Sequence, residues 1–461
     1  MPGVPTGKGC DGCRAQKKKC DEAKPSCSRC ARLGLFCIGA GQQRYKFKEK
    51  TVFEFECRNG ARAKSSHDFV PTVILPCPNS AMDILTSSFV DTISPSTDFR
   101  YNLVWMYGGF LEDVPARIGR NSALDAAVEA VVVAHADFCS FRPIQISFLL
   151  KYSRALESLR KMLDDPLKAR SSETLCSAMM LLICQGLVGA CEGLWTGHCE
   201  GAAQILKARG PRDAQDDFEN KLLLSLRGPV LFEGIFNNRI EFQLSEWNEL
   251  VLNHLDGQMP EDRLMRRLAQ IPEYMHRART RWPQSAIPDL QLLNEMRSSY
   301  EILSAEAQDA RQRYALVQKR IDQKASPASL IVQAHAYLQR LYGLCLTVCL
   351  LFSSVLAAVE PSYEVILRLE TANFAREIVL LCQDATRYRP LASSYVALFL
   401  YAAWLGTAEH SIKTSVESQL AEHRLTWSNG TDQVFPVPYL QFLSQRIRHQ
   451  VLQRGQRLQE A

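Results

Sequence analysis

The sequence predicts a small metal-stabilised module of two short helices, followed by a linker and a large all-α domain. Three observations carry this expectation. Cys10, Cys13, Cys20, Cys27, Cys30 and Cys37 repeat one spacing, C-x2-C-x6-C, with six residues between the two copies. From about residue 100 to the end, apolar residues recur at helical spacing and alternating, turn-rich patterns are scarce. Between these parts lies a stretch rich in proline, serine and threonine. The expected boundaries are 5–42, 43–100 and 101–461.

The cysteine spacing is that of a metal site. Structural zinc takes four tetrahedral ligands, with thiolate sulfur at roughly 2.3 Å. One ion needs four cysteines, whereas two ions offer eight positions, which six thiolates fill only if two of them bridge both metals. The half-sites Cys10/Cys13/Cys20 and Cys27/Cys30/Cys37 are equivalent by spacing. One bridging sulfur from each completes two tetrahedra, and the internal symmetry makes Cys10 and Cys27 the bridges of two Zn2+ ions. A disulfide framework would need an oxidising compartment, and the first nine residues hold no apolar signal core. Each C-x2-C is expected to open a short helix from a tight loop, and the third cysteine to close the cage from an extended segment. So short a module cannot fold on an apolar core alone, so metal binding supplies the folding free energy.

Charge separates the module from the rest of the chain. Residues 1–50 hold twelve lysines and arginines against Asp11, Asp21, Glu22 and Glu49, a net of +8. The whole chain is +5, so residues 51–461 sum to 5 − 8 = −3. Two Zn2+ with six thiolates carry only −2, which needs far fewer than twelve cations to offset. A concentrated positive patch of this kind is the footprint of a polyanion binder.

At this point the run C-D-G-C-R-A-Q-K-K-K-C-D-E-A-K-P-S-C-S-R-C-A-R-L-G-L-F-C, positions 10–37, resembles the fungal Zn2Cys6 binuclear-cluster transcription factors. The resemblance covers about 6% of the chain and is highly specific. It implies that the helix after the second cysteine enters the major groove of double-stranded DNA and reads a CGG-type triplet. Carried over by position, Lys17 holds the principal base-reading site with Lys18 beside it, Arg14 and Lys19 fit phosphate contacts, and Pro25 matches the proline of the joining loop. Gln16 departs from the family, standing where a basic residue is common. It either removes a phosphate contact or adds a hydrogen bond. Guanine presents O6 and N7 acceptors in that groove, which suits a lysine donor. One finger touches few base pairs, so a dimer usually sets half-site spacing. The resemblance further implies a nuclear regulator of RNA polymerase II genes that engages the transcription machinery.

No heptad coiled coil follows the cluster. Residues 38–50 read I-G-A-G-Q-Q-R-Y-K-F-K-E-K, a basic linker, and the apolar patch at 70–75 is either a docking or a recognition segment. In the helical part, Leu124, Ala127, Val128, Val131 and Val132 form one stripe, and another helix runs from Ile144 through Leu156, Leu159 and Leu163 to a stop at Pro166. Residues 121–134, 152–159 and 195–210 show a weaker resemblance to the helical regulatory region of the same factors. Trp195, His198, Gly201 and Ala202 share a face that suits a tight helix crossing better than an effector pocket. The series Leu293, Met296, Tyr300, Leu303, Ala307, Ala310, Tyr314, Val317 and Ile321 satisfies the a/d rule. It is read as packing on its own domain in preference to a dimer seam, although a homodimer stays open.

Uncharged stretches at 174–191, 341–359 and 391–408 are long enough for a bilayer. Their Ser, Thr, Gln and Gly content and lack of lysine-rich flanks read instead as central bundle helices, with no membrane partner. The other ten cysteines form no ligand grid and are expected as buried thiols. No phosphate-binding loop, nucleophile elbow or H-E-x-x-H helix occurs, so no catalytic residue and no cofactor besides zinc is assigned. A small-molecule effector is neither required nor excluded. The rival reading is an interaction protein whose zinc module binds nucleic acid without sequence preference, with the helical part as scaffold.

Overall fold

The computed structural model describes residues 9–10, 12–13, 16–24, 26–35 and 37 of the module. Beyond it, 80–94, 98–143, 145–188, 194–209, 216–237, 239–251, 260–281, 289–323, 329–427 and 437–452 are described. The chain divides into two units, Met1–Leu75 and Pro76–Ala461. Among the described residues every regular element is helical.

In the first unit the buried apolar cluster consists of Cys10, Cys13, Cys27 and Cys30, with Cys20 and Cys37 against it. Sulfur occupies the interior that leucine or valine would fill in a larger domain. Helix α1 (Ser28–Leu33) starts at Cys27, whose side chain accepts from the Cys30 N–H, and ends at Gly34, φ +64°. Cys20 and Cys37 lie on non-helical chain. The patch at 70–75, the basic linker at 38–50, and Cys57, Cys77 and Cys191 fall outside the described residues.

The second unit opens earlier than the sequence suggests. Residues read as linker form α2 (Ala81–Ile93): Ser80 and Asp83 make a reciprocal capping box, and Phe89 is buried in the common core. Serine and threonine look like linker residues by composition, but here one of them starts a helix. Next, α3 (Ser122–Cys139) begins at Asn121, whose side chain accepts from the N–H groups of Ala123 and Leu124. Its amide donates to Thr174 Oγ1 at 3.0 Å, tying α3 to the start of α5 (Ser172–Val188). The stripe Leu124, Ala127, Val128 and Val131 is buried as expected, with Val132 partly so.

Between them, α4 (Ile146–Leu163) differs from its sequence reading. Leu159 is buried, but Leu156 and Leu163 are 39% and 42% exposed. The inward stripe is Phe148, Tyr152, Ala155, Leu159 and Met162, in steps of four and three. Helix α6 (Leu194–Arg209) buries Ala202, and His198 Nε2 meets Tyr152 Oη at 2.6 Å. Gly201 is exposed with open space around it, so the crossing does not occur there. The Trp195 side chain lies outside the described set.

The remaining labelled helices are α7 (Asp217–Phe236), α8 (Leu244–Val251), α9 (Pro260–Arg281), α10 (Leu290–Asp322), α11 (Ser329–Val359), α12 (Arg368–Asp384), α13 (Val396–Gly406), α14 (His410–Trp427) and α15 (Val437–Leu452). One continuous core runs from Phe89 to Ile447. The heptad helix α10 packs its Leu293, Met296, Tyr300, Leu303, Ala307 and Ala310 inward, against α11 among others. Over these six members the apolar seam is spent within the unit, while Tyr314, Val317 and Ile321 at its far end are only partly buried. Helix α11 is long and apolar enough to cross a membrane, yet 78% of its most apolar window is buried inside the protein. Cys345 and Cys349 are buried free thiols on this helix. Helices α11 and α13 run parallel in register. Gln339 pairs with Tyr395, Phe399 fills the notch at Gly343, and Leu350 fills the one at Gly406.

Candidate metal centre and nucleic-acid interface

The six sulfurs form two tetrads with two members in common. Cys10, Cys13, Cys20 and Cys27 make one, and Cys10, Cys27, Cys30 and Cys37 the other; in each, all Sγ atoms lie within 4.8 Å of one another. Sγ of Cys10 is 3.8 Å from that of Cys27 and 3.6 Å from that of Cys30, while Cys13 and Cys27 are 3.8 Å apart. A tetrahedron with metal–sulfur bonds of roughly 2.3 Å has edges of about 3.8 Å. The donor set and its size therefore fit two zinc ions, with Cys10 and Cys27 in the shared positions.

Backbone geometry repeats between the halves. The Cys13 N–H donates to Cys10 Sγ and the Cys30 N–H to Cys27 Sγ, both at 3.4 Å. The Cys10 N–H reaches Cys20 Sγ at 3.5 Å and the Cys27 N–H reaches Cys37 Sγ at 3.3 Å. These last two bonds are the leading cause that holds the Cys20 and Cys37 thiols below their ordinary range. Burial pushes the Cys13 thiol up to about 12. Hydrogen bonding to Cys27, then burial, raises Cys30. Thiols crowded this closely give up their protons to a cation, so metal loading releases protons here.

The first half-site carries the basic run. Gly12 and Cys13 are helical, and the turn after them stops at Lys17, φ +51°, with the Lys18 N–H bonded to the Cys13 carbonyl at 2.9 Å. The second half stops the same way at Gly34, with the Leu35 N–H on the Cys30 carbonyl at 3.0 Å. This six-to-one bond is the signature of a helix terminated by a left-handed residue. Gln16, Lys17, Lys18 and Lys19 are all exposed.

Two side-chain ties join the halves. The Asp21 carboxylate accepts from the Ser28 backbone N–H at 3.1 Å and from its hydroxyl at 2.5 Å, which holds that carboxyl below its usual range. Gln16 Oε1 accepts from the Arg29 guanidinium. Neither tie was read from the sequence. Asp21 follows a ligand cysteine at a distance of seven from Ser28, and no periodicity marks such a pair.

Residues 8–46 match the model of the fungal Zn(2)-Cys(6) binuclear cluster domain. The amino-terminal module is a Zn2Cys6 binuclear cluster domain. Over 33 residues the chain is 58% identical to a protein named transcription factor sphG, from Aspergillus fumigatus. That match spans 7% of this chain and 4% of the relative, so the likeness concerns one short segment. No solved structure matches the chain.

Within the cluster domain, the structure brings the six expected cysteines together and leaves Lys17, Lys18 and Lys19 on the surface. Gln16, which departs from the common pattern, is engaged inside the domain by Arg29. Arg14 and Pro25 fall outside the described residues.

Proposed function

We propose that this protein is a nuclear, sequence-specific DNA-binding regulator of RNA polymerase II genes. In this reading the cluster domain reads CGG-type half-sites and the helical unit, 101–461 by the sequence boundary, regulates or recruits the transcription machinery. The observation that carries it is the exposed Lys17–Lys18–Lys19 run beside a two-metal cage, in a module whose net charge is +8. Lys17, with Lys18 beside it, would donate to guanine O6 and N7 in the major groove. Arg14 and Lys19 would neutralise phosphates, each steepening the fall of log K with log salt by about 0.9. Gln16 would hold Arg29 at the protein surface in place of a direct backbone contact.

Selection from random duplexes with the full-length zinc-loaded protein tests the reading. Enrichment of CGG-containing sites, lost in Lys17→Ala at unchanged zinc content, is the expected result. Equal affinity for all duplexes would overturn it in favour of a scaffold that binds nucleic acid without sequence preference. The number, orientation and spacing of enriched half-sites would also report whether a homodimer binds.

A further inference from the structure

Helix α4 carries two heptad stripes, and among the described residues one of them packs into the core while the other stays exposed. The inward stripe packs into the core shared with α3 and α5. The outward one is Ile146, Leu149, Ser153, Leu156, Arg160 and Leu163, in steps of three and four. Its four aliphatic members are 75%, 49%, 39% and 42% exposed, and Ser153 and Arg160 are exposed too. Such a seam is the pattern one helix presents to another, and soluble surfaces rarely line up aliphatic side chains this way without a partner.

Charge narrows the partner. Over α4, Lys151, Arg154, Arg160 and Lys161 stand against Glu157, a net of +3. Lys151 is matched by Glu129 of α3 and Lys161 by Glu157. Arg154 keeps only a 3.8 Å approach to Glu129 and is 74% exposed, and Arg160 sits within the apolar seam itself. A second copy of this face would bring a second excess of positive charge. Among the described residues Arg160 has no acidic partner, and a carboxylate-bearing helix would supply one.

We propose that the outward stripe of α4 is a docking surface for an acidic amphipathic helix of another protein, with leucines against Leu149 and Leu156 and a carboxylate against Arg160. This is helix-on-helix recognition of the kind read as apolar anchors at heptad spacing. It lies in the helical unit and involves no DNA, so its failure would leave the DNA reading untouched.

Fluorescence anisotropy of the full-length protein with a labelled peptide of about four heptads, leucine at a and d and glutamate elsewhere, tests the assignment. The wild type should bind it, and Leu149→Ser with Leu156→Ser should weaken binding at least about tenfold. Arg160→Glu should shift preference to the peptide with lysine in place of glutamate. Leu380→Ser, at an exposed leucine of α12, should bind like the wild type. All these positions are on the surface, and unchanged thermal melts of the variants would keep misfolding out of the comparison. Absence of binding by the wild type, equal binding of the lysine peptide, or indifference to the leucine changes would each overturn the proposal. So would a wild-type dimer that the double variant dissociates, which would make a second copy the occupant. Capture of the wild type alone by phosphatidylserine vesicles would make it a lipid surface.

Discussion

Lys17 and Gly34 occupy equivalent places in the two halves of the cluster domain, seventeen residues apart, and both hold a left-handed backbone, φ +51° and +64°. Glycine adopts this conformation freely, while a residue with a Cβ costs about 1 kcal/mol there. The half that ends in glycine has no base-reading assignment. The half that ends in lysine carries the side chain proposed to enter the groove, so backbone strain and function coincide.

Lys17→Gly should therefore separate the two. Zinc retention against a chelator should equal or exceed that of the wild type, while affinity for the best site falls by about 1 to 3 kcal/mol. Lys17→Ala should lose similar affinity without the gain in retention. Parallel chelator competition and DNA titration check the pair, and intact DNA affinity in Lys17→Gly would remove Lys17 from the readout.

The shared sulfurs predict unequal effects among the cysteines. Cys10→Ser or Cys27→Ser removes a member of both tetrads and should leave neither zinc ion bound. Cys20→Ser strips one tetrad of a terminal ligand, so the ion held by Cys10, Cys27, Cys30 and Cys37 should persist longer under chelation. Metal counting by native mass spectrometry distinguishes these outcomes.

Gln16→Lys should exchange an internal tie for a phosphate contact. The ammonium would face Arg29 instead of accepting its proton, and the slope of log K against log salt should steepen by about 0.9. DNA titration across a salt series reads it directly.

Gly343→Ala tests the parallel crossing of α11 and α13. A Cβ there would meet the buried Phe399 ring at 2.2 Å. Overpacking of this kind typically costs about 1 to 3 kcal/mol, to be seen in urea unfolding followed by helical ellipticity.

Two buried histidines set an acid limit on the helical unit. His335 is fully buried, contacting Tyr388 Oη at 2.5 Å, Gln318 Oε1 and, at 3.9 Å, Asp384. Burial, and after it the charge of Arg387, lowers it to about 4. His423 is lowered to about 4 by burial and then by Arg389. Because their folded values lie below the ordinary 6.5, the unfolded chain binds more protons in between. Stability from these groups is full above about pH 6.5 and declines as pH falls towards 4. Urea midpoints measured between pH 7 and 4.5 should drop, and His335→Gln should flatten the decline.

Much of the cluster was legible because coordination chemistry is local: six cysteines at fixed spacing admit few arrangements, and the repeat limits the shared pair to three equivalent choices, of which the sulfur positions pick Cys10 and Cys27. The ties Gln16–Arg29 and Asp21–Ser28 were not legible, since each depends on how two halves fold together. In the helical unit, periodicity located α10 correctly and pointed to its inward packing. It misjudged α4, where two apolar stripes share one helix and spacing alone does not say which faces in. Likewise, composition hid α2, because Ser80 serves as a cap and not as linker. The parallel registry of α11 and α13 joins residues 56 apart, beyond the reach of any sequence window.

The two-sulfur sharing at Cys10 and Cys27 has a consequence for how the protein meets its environment. Each tetrad needs both of these sulfurs, so a single oxidised thiol at either place would withdraw a donor from both ion positions at once. Chemical damage at one atom would then reach the whole amino-terminal fold, which metal binding holds together.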